Sequence, residues 1–333
     1  MRVPQPRGPL SSALVESLRT GQRFTPPLFD HGPSPDVVHD EDLQLSLWVC
    51  YELHYRGFDD VEDSWEWSPA VIAFRSRLES RFLTGLRALA PVREVAPAAV
   101  PDALADLVAA DDGPSLAGFL QREATLEQFR EFVALRSVYH LKEADPHSWA
   151  IPRLDGRAKA ALVEIQADEY GGGRVERMHS ELFRDVLRAL DLDDTYGGYV
   201  DRASAATLAV TNTISLFGLN RNLTGALVGH LAAFEMTSSL PNRRYGAGVR
   251  RLGGDARATR FYDEHVEADA VHEQIAAHDL CGSYARAHPG AAGDVLFGAA
   301  ACLAVEAEFG RELLDRWAHG RSALHTTALG RTA

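Results

Sequence analysis

The segment Phe261–Glu273 reads FYDEHVEADAVHE and brings two histidines and an aspartate into one short stretch. His265, Asp269 and His272 stand four and then three residues apart. At about 100° per residue they fall on one narrow stripe of a helix. Imidazole and carboxylate together suit a redox-active transition metal better than calcium, and the absence of a nearby cysteine weakens a structural zinc site. The segment therefore predicts a metal-binding helix, with a solvated acidic face as the alternative.

The rest of the sequence also predicts helices. Apolar residues recur at helical spacing, and convincing runs of alternating apolar and polar residues are absent. Helices are predicted at 42–55, 68–90, 125–145, 155–169, 174–190, 202–217, 222–240, 256–286 and 290–318. No fixed-period repeat or low-complexity linker divides the chain. We therefore predict one all-α domain built as a helical bundle.

The ends of the chain differ in composition from its middle. Residues 1–40 are rich in Pro, Gly and Asp and predict an extended N-terminal arm with little regular structure. Residues 41–120 predict a helical extension packed on a core that spans 121–320. Residues 321–333 predict a frayed tail.

The composition limits the classes of partner. The 333 residues include 34 Lys and Arg against 47 Asp and Glu, a formal charge of −13. This balance disfavours nucleic acid and is compatible with a cationic substrate. Cys50, Cys281 and Cys302 lie far apart and match no disulfide or zinc pattern. With no signal-peptide core and no uninterrupted apolar run near the roughly 18 residues of a membrane span, we predict a cytoplasmic protein without a membrane partner.

Further carboxylates and histidines occur on other predicted helices. Helix 125–145 supplies Glu143 and helix 222–240 supplies Glu235, which follows an apolar stretch. A buried carboxylate needs a cation, a hydrogen-bond network or a proton, so an ion-pair role is the alternative for Glu235. Two carboxylate-x-x-His pairs begin at Glu176 and Asp269. Such pairs, flanked by single glutamates on other helices, hold two iron or manganese ions in helical bundles.

The order of these residues resembles the heme-oxygenase-like diiron oxidases and oxygenases. The segment DEYGGG at 168–173 and the H-x3-D-x2-H segment at 265–272 carry most of the resemblance, which covers about residues 120–290. His265 separates this pattern from ferritin-like proteins, which need only the two carboxylate-x-x-His pairs. The resemblance implies a seven-helix heme-oxygenase-like fold that binds no heme and uses two Fe ions with O2 as co-substrate.

The resemblance also implies a set of metal ligands. They are Glu143, Glu169, His179, Glu235, His265, Asp269 and His272. Glu169, ten residues before His179, matches a supplementary carboxylate that N-oxygenating members of the family carry. Other branches place the carboxylate seven or three residues before the histidine. These positions are Gly172, which cannot ligate, and Glu176, which we keep as a reserve ligand.

Two other signals compete with this reading. His140, Glu143 and His147 form a candidate separate metal cluster, although Pro146 is expected to break the helix before His147. Gly246-x-Gly248 lacks the third glycine and the preceding strand of a dinucleotide loop. We therefore expect no flavin and an external electron donor.

Substrate contacts are predicted near the end of the Glu235 helix. Arg243 or Arg244 can hold a substrate carboxylate through a bidentate contact. The alternative is a helix C-terminus that carries cations. Tyr262 is a third candidate for substrate binding.

Three functions are consistent with these residues and with the resemblance. The first is a diiron N-oxygenase, an oxidoreductase that uses O2 to convert a small amine to a hydroxylamine or nitro product in specialised metabolism. Its substrate would be a basic amino acid or an aminoimidazole. The second is a diiron oxidase that carries out desaturation or carbon–carbon cleavage of an amino acid or fatty acid. The third is an iron-storage-like or scaffold protein. The composition is compatible with a homodimer.

Overall fold

The computed structural model describes residues 1–27 and 36–325, apart from the side chains of residues 267–271. Every regular element in that part of the chain is helical, which confirms the all-α prediction. The α-helices are α1 Pro9–Thr20, α2 Glu41–Glu52, α3 Pro69–Leu89, α4 Val100–Ala109, α5 Leu116–Arg122, α6 Leu126–His140, α7 Asp145–Ser148, α8 Gly156–Glu169, α9 His179–Ala189, α10 Ala205–Leu219, α11 Thr224–Arg251, α12 Ala256–Gln274, α13 Ser283–Ala287 and α14 Ala292–Ala318. A π-helical segment, Ile275–Gly282, joins α12 to α13.

Helix α11 is the centre of the bundle. It packs against α14, α12 and α5, while α12 also packs against α9. Gly229 of α11 and Gly298 of α14 lie where the two backbones touch, since a Cβ at either position would overlap a carbonyl of the opposite helix. Close backbone contact of this kind holds α11 firmly and fixes the direction of the side chains that it sends toward α12.

The segment Pro289–Ala318 is long and apolar enough to cross a membrane by length and composition. However, 56% of its most apolar window is buried inside the protein. The helix packs on α11, α10 and α4. Its apolar surface is therefore used in the helical core.

The N-terminal region is more regular than predicted. Residues 9–20 form α1, with Pro9 in its first turn and Gly21 as a left-handed C-cap. The expectation of an extended arm over 1–40 is wrong for this stretch, and residues 28–35 lie outside the description. Leu14 and Leu18 explain the difference, because they form a buried face against α2 that the flanking Pro and Gly residues conceal.

The C-terminal segment is also held more firmly than predicted. The buried carboxylate of Glu131 accepts hydrogen bonds from Trp317 Nε1 at 2.7 Å, from the Ala323 amide at 2.8 Å and from the Ser322 hydroxyl. The His325 amide donates to the carbonyl of Arg202 at 2.7 Å. The prediction of a frayed tail is therefore wrong for residues 321–325, while residues 326–333 lie outside the description.

Candidate metal centre

Three consecutive glycines fold the chain so that two candidate ligands meet. Glu169 is the last residue of α8, and Gly171, Gly172 and Gly173 have φ angles of 64°, 60° and 79°. These left-handed angles favour glycine, and a Cβ at Gly171 would lie 2.6 Å from the backbone that follows Arg177. The helix predicted over 174–190 therefore begins only at His179. As a result, His179 Nδ1 lies 3.0 Å from Glu169 Oε2.

Six predicted ligands lie together as two adjoining groups, which we call the ligand cluster. The first group contains Glu143, Glu169, His179 and His265, and the second contains Glu169, Glu235 and His272. Within each group the ligand atoms all lie within 4.8 Å of one another. Glu169 belongs to both groups. The geometry therefore brings two groups of candidate ligands side by side, with one carboxylate common to both.

Hydrogen bonds orient the histidines of α12. His265 Nδ1 lies 2.8 Å from the carbonyl oxygen of Phe261, and His272 Nε2 lies 3.0 Å from Asp168 Oδ2. A carbonyl oxygen and an ionised carboxylate can only accept a hydrogen bond. Each of these two ring nitrogens therefore carries the hydrogen. The other nitrogen of each ring faces the cluster. His265 Nε2 is 3.7 Å from Glu143 Oε1, and His272 Nδ1 is 3.3 Å from Glu235 Oε2.

The ligand cluster fits a bound cation. Glu143 Oε2, His179 Nδ1 and His272 Nδ1 are buried and have no hydrogen-bond partner among the described residues. The two histidine nitrogens lie near carboxylate oxygens but do not have hydrogen-bond geometry with them. Instead, the nitrogen and oxygen atoms of each group point toward a common centre. A buried polar atom without a partner costs about 1–3 kcal/mol, and coordination would remove that cost. Nitrogen and carboxylate donors together suit iron or manganese.

The charges within the cluster shift its pKa values. Burial alone would raise the pKa of Glu143, but the imidazoles of His140 and His265 hold it well below its usual range. Burial lowers the pKa of His272, but the carboxylates of Glu235 and Asp168 outweigh this effect and raise it to about 9. The same balance, with Glu169 as the main partner, raises the pKa of His179. The metal-free cluster therefore holds protons that a metal must displace.

The remaining candidate ligands have different positions. The side chain of Asp269 lies outside the described residues, although α12 includes its position. Glu176 is solvent-exposed in the short turn before α9 and belongs to neither group. Because α9 starts at His179, the three-residue spacing does not place Glu176 on one helical face with it, and its role as a reserve ligand stays a prediction.

The alternative cluster of His140, Glu143 and His147 does not form. His140 Nδ1 is 3.0 Å from Glu143 Oε1, so His140 supports a candidate ligand. His147 Nε2 is instead 3.3 Å from His230 Nδ1 in an apolar environment. Burial lowers the pKa of His147 to about 4, although the carboxylates of Glu169 and Glu143 oppose the shift. The His147–His230 pair had no sequence signal, because its members lie 83 residues apart.

A cavity of about 690 Å³ opens onto the ligand cluster. Glu143, Glu169, Glu235 and His265 form part of its wall. Aromatic side chains form another part of the wall, namely Phe132, Tyr139, Phe183, Phe234 and Phe261. The cavity is large enough for a small organic molecule. Its aromatic wall would limit the access of water to the cluster.

The cavity also has a charged region away from the cluster. Arg136, on α6, forms a bidentate ion pair with Glu306 at 2.8 and 2.6 Å. This pair had no sequence signal, because its members lie 170 residues apart. Of the predicted substrate contacts, Arg244 and Tyr262 line the cavity, whereas Arg243 is exposed and does not.

An all-α bundle with two adjoining histidine–carboxylate groups is typical of helical proteins that bind metal ions. The chain belongs to the family of iron-containing redox enzymes, a heme-oxygenase-like family whose model matches residues 130–307. The chain is therefore an oxidoreductase, and the resemblance read from the sequence is confirmed at the level of the family.

One curated relative gives a finer comparison. Over 150 residues the chain is 28% identical to the nitrosourea synthase of Streptomyces achromogenes subsp. streptozoticus. The match covers 44% of this chain and 31% of that protein. The chain thus matches about a third of the length of the relative.

Proposed function

We propose that this chain is a non-heme diiron oxygenase that uses O2 to oxidise the nitrogen of a small amine. The observation that carries the proposal is the position of Glu169, whose carboxylate belongs to both ligand groups. A shared carboxylate is the feature expected when two metal ions lie side by side. The family match supports iron as the metal and a redox reaction as the chemistry.

The chain's own side chains would hold and orient the centre. When bound, iron would supply the redox chemistry with O2 that protein side chains lack. The Phe261 carbonyl and the Asp168 carboxylate hold the rings of His265 and His272 with one nitrogen toward the cluster. Such outer contacts fix the tautomer of a metal ligand. The phenyl rings of Phe183 and Phe234 line the cavity and would limit the access of water to the cluster.

Two observations support an amine as substrate. The first is the name of the relative, since a nitrosourea carries oxygen on nitrogen. The second is the charged region of the cavity, where Glu306 and Asp111 present carboxylates and Arg136 a guanidinium. A basic amino acid or an aminoimidazole has the charge or hydrogen-bonding groups to use these contacts. An external electron donor, a cytoplasmic location and a homodimer are further parts of the proposal.

Anaerobic reconstitution tests the proposal. The metal-free protein is loaded with Fe(II), the bound iron is counted, and the protein is mixed with oxygenated buffer while visible absorption is recorded. Lysine, arginine, 2-aminoimidazole and a medium-chain fatty acid serve as substrates in parallel, and mass spectrometry identifies the products.

The expected result is two iron ions per chain and a coloured transient that an amine substrate removes faster. Its product would carry oxygen on nitrogen. An alkene or a shortened chain would overturn N-oxygenation and establish the alternative, desaturation or carbon–carbon cleavage. Iron binding well below two per chain would overturn the diiron centre itself.

A further inference from the structure

Glu143 does not lie on a helix, although the sequence placed it there. Helix α6 ends at His140 and α7 begins at Asp145, so Glu143 lies between them in residues 141–144, which we call the ligand turn. Ala144 in this turn has φ 72° and ψ −34°. A non-glycine residue in this region is strained, and such strain persists only where the surrounding structure enforces it. The position of Glu143 therefore depends on what holds the ligand turn.

One side of the ligand turn is held by the N-terminal extension. Lys142 and Glu52, which we call the anchor pair, are 1% and 0% exposed, and Lys142 Nζ lies 3.2 Å from Glu52 Oε2. Tyr196 donates its hydroxyl to both oxygens of Glu52, at 2.8 and 2.9 Å. The ammonium group also lies over the rings of Tyr55 and Trp48, at 4.4 and 5.7 Å. Lys142 is therefore enclosed by groups that come mainly from α2 and the residues just after it.

The other side of the ligand turn is held by α8. Gln166 Nε2 donates to the carbonyl oxygen of Ala144 at 2.8 Å and lies 2.7 Å from Ser148 Oγ. Gln166 stands three residues before Glu169 on the same helix. The turn is thus clamped between the extension and the helix that carries the shared carboxylate.

The anchor pair is hard to explain by stability alone. A buried ion pair often contributes no more stability than two well-packed apolar side chains, because both charges lose their water. Unlike an apolar contact, however, the ion pair fixes the direction in which the Lys142 side chain points. Lys142 points toward Glu52 of the extension, while its neighbour Glu143 points toward His265 in the ligand cluster.

We propose that Glu52 and Lys142 are positioning residues for the metal centre. The anchor pair holds the ligand turn in its strained conformation, so that Glu143 reaches the group that contains His179 and His265. Glu52 lies outside the family match, which begins at residue 130. The extension is therefore part of the machinery of the centre, and this inference rests on the proposed diiron function.

The test uses the full chain and Co(II) alone as the probe. In the double variant Glu52→Gln/Lys142→Met, the amide still accepts from Tyr196 and the thioether fills the aromatic pocket. The control is Glu79→Gln. Glu79 is also a buried carboxylate of the extension, but it bonds Asn220 at 2.9 Å and lies 3.4 Å from Arg75, away from the ligand turn. Affinities at the two positions come from competition with a chelator, and the visible spectrum of Co(II) reports coordination.

We expect the double variant to weaken the position that includes Glu143 by about 10–100-fold, the range for loss of a group that orients a ligand. The position of Glu235 and His272 and the control variant should keep their affinities. Equal weakening of both positions, or none, would overturn the inference. Failure of the wild type to bind two ions would instead overturn the proposed function. If the double variant does not fold, Tyr196→Phe, which loosens Glu52 alone, should show the same selective loss in milder form.

Discussion

The ligand cluster and the anchor pair are two buried polar regions on either side of the same turn, and they differ in how their atoms are satisfied. In the anchor pair each charge meets an opposite charge or hydrogen-bond donors, at 2.8–3.2 Å. In the ligand cluster three buried atoms have no hydrogen-bond partner in the described part of the chain. A network in which every polar atom has a partner stabilises the fold, while a network with unpaired polar atoms can bind a ligand. Burial of charge alone would not have distinguished the two regions.

The largest expected effect is the loss of the shared carboxylate. Glu169→Gln should lower metal affinity by more than about a hundredfold, since loss of a mere outer contact already costs 10–100-fold. It should also remove most of the metal-dependent stabilisation, about 2.7 kcal/mol per site at a hundred times Kd. Metal analysis and thermal unfolding with and without Fe(II) measure both quantities. A Glu176→Gln variant tests the reserve position, and a stronger effect there than at Glu169 would reverse the assignment.

The anchor pair should respond differently, because its role does not need metal. Lys142→Met leaves the carboxylate of Glu52 buried without its countercharge, which should cost about 3–5 kcal/mol in the metal-free protein. Urea unfolding measures this value. The exposed pair of Arg93 and Asp106, at 3.1 Å, supplies a control, and Arg93→Met should change stability little. Equal losses in both variants would contradict the distinction.

Metal binding should depend on pH at the second group. His272, with its pKa near 9, is protonated at neutral pH in the metal-free protein. A metal must displace that proton, so affinity should fall about tenfold for each pH unit below 9 and level off above it. Chelator competition with Co(II) from pH 6.5 to 9 measures the slope. A flat profile would mean that Glu235 and Asp168 do not hold the proton there.

The smallest expected effect concerns the strain in the ligand turn. Ala144→Gly should raise the free energy of unfolding by about 1 kcal/mol, since relief of strain exceeds the entropy cost of glycine. Ala134→Gly, in the middle of α6, should have the opposite sign with a similar size. A loss of stability in both variants would show that the turn is not strained.

The sequence predicted the regular parts of the site better than its irregular parts. His265 and His272 follow helical spacing on α12, and one ring nitrogen of each lies near a carboxylate of the cluster. Glu143 was predicted on a helix, but α6 ends before it. The sequence does not show this end, because nothing about an alanine at position 144 indicates a positive φ. The anchor pair joins residues 90 positions apart and left no local pattern. Contacts between distant segments decide such features, so one sequence does not show them.

The glycine segment that brings Glu169 and His179 together is also a place where the chain can be cut. Arg174 and Arg177 are exposed there, so trypsin would meet two cleavage sites between the two ligands. After cleavage the ligands would belong to separate fragments, joined only by packing and by any metal that both bind. Metal occupancy would then slow digestion and hold the nicked chain together, and a gel would report it without any substrate.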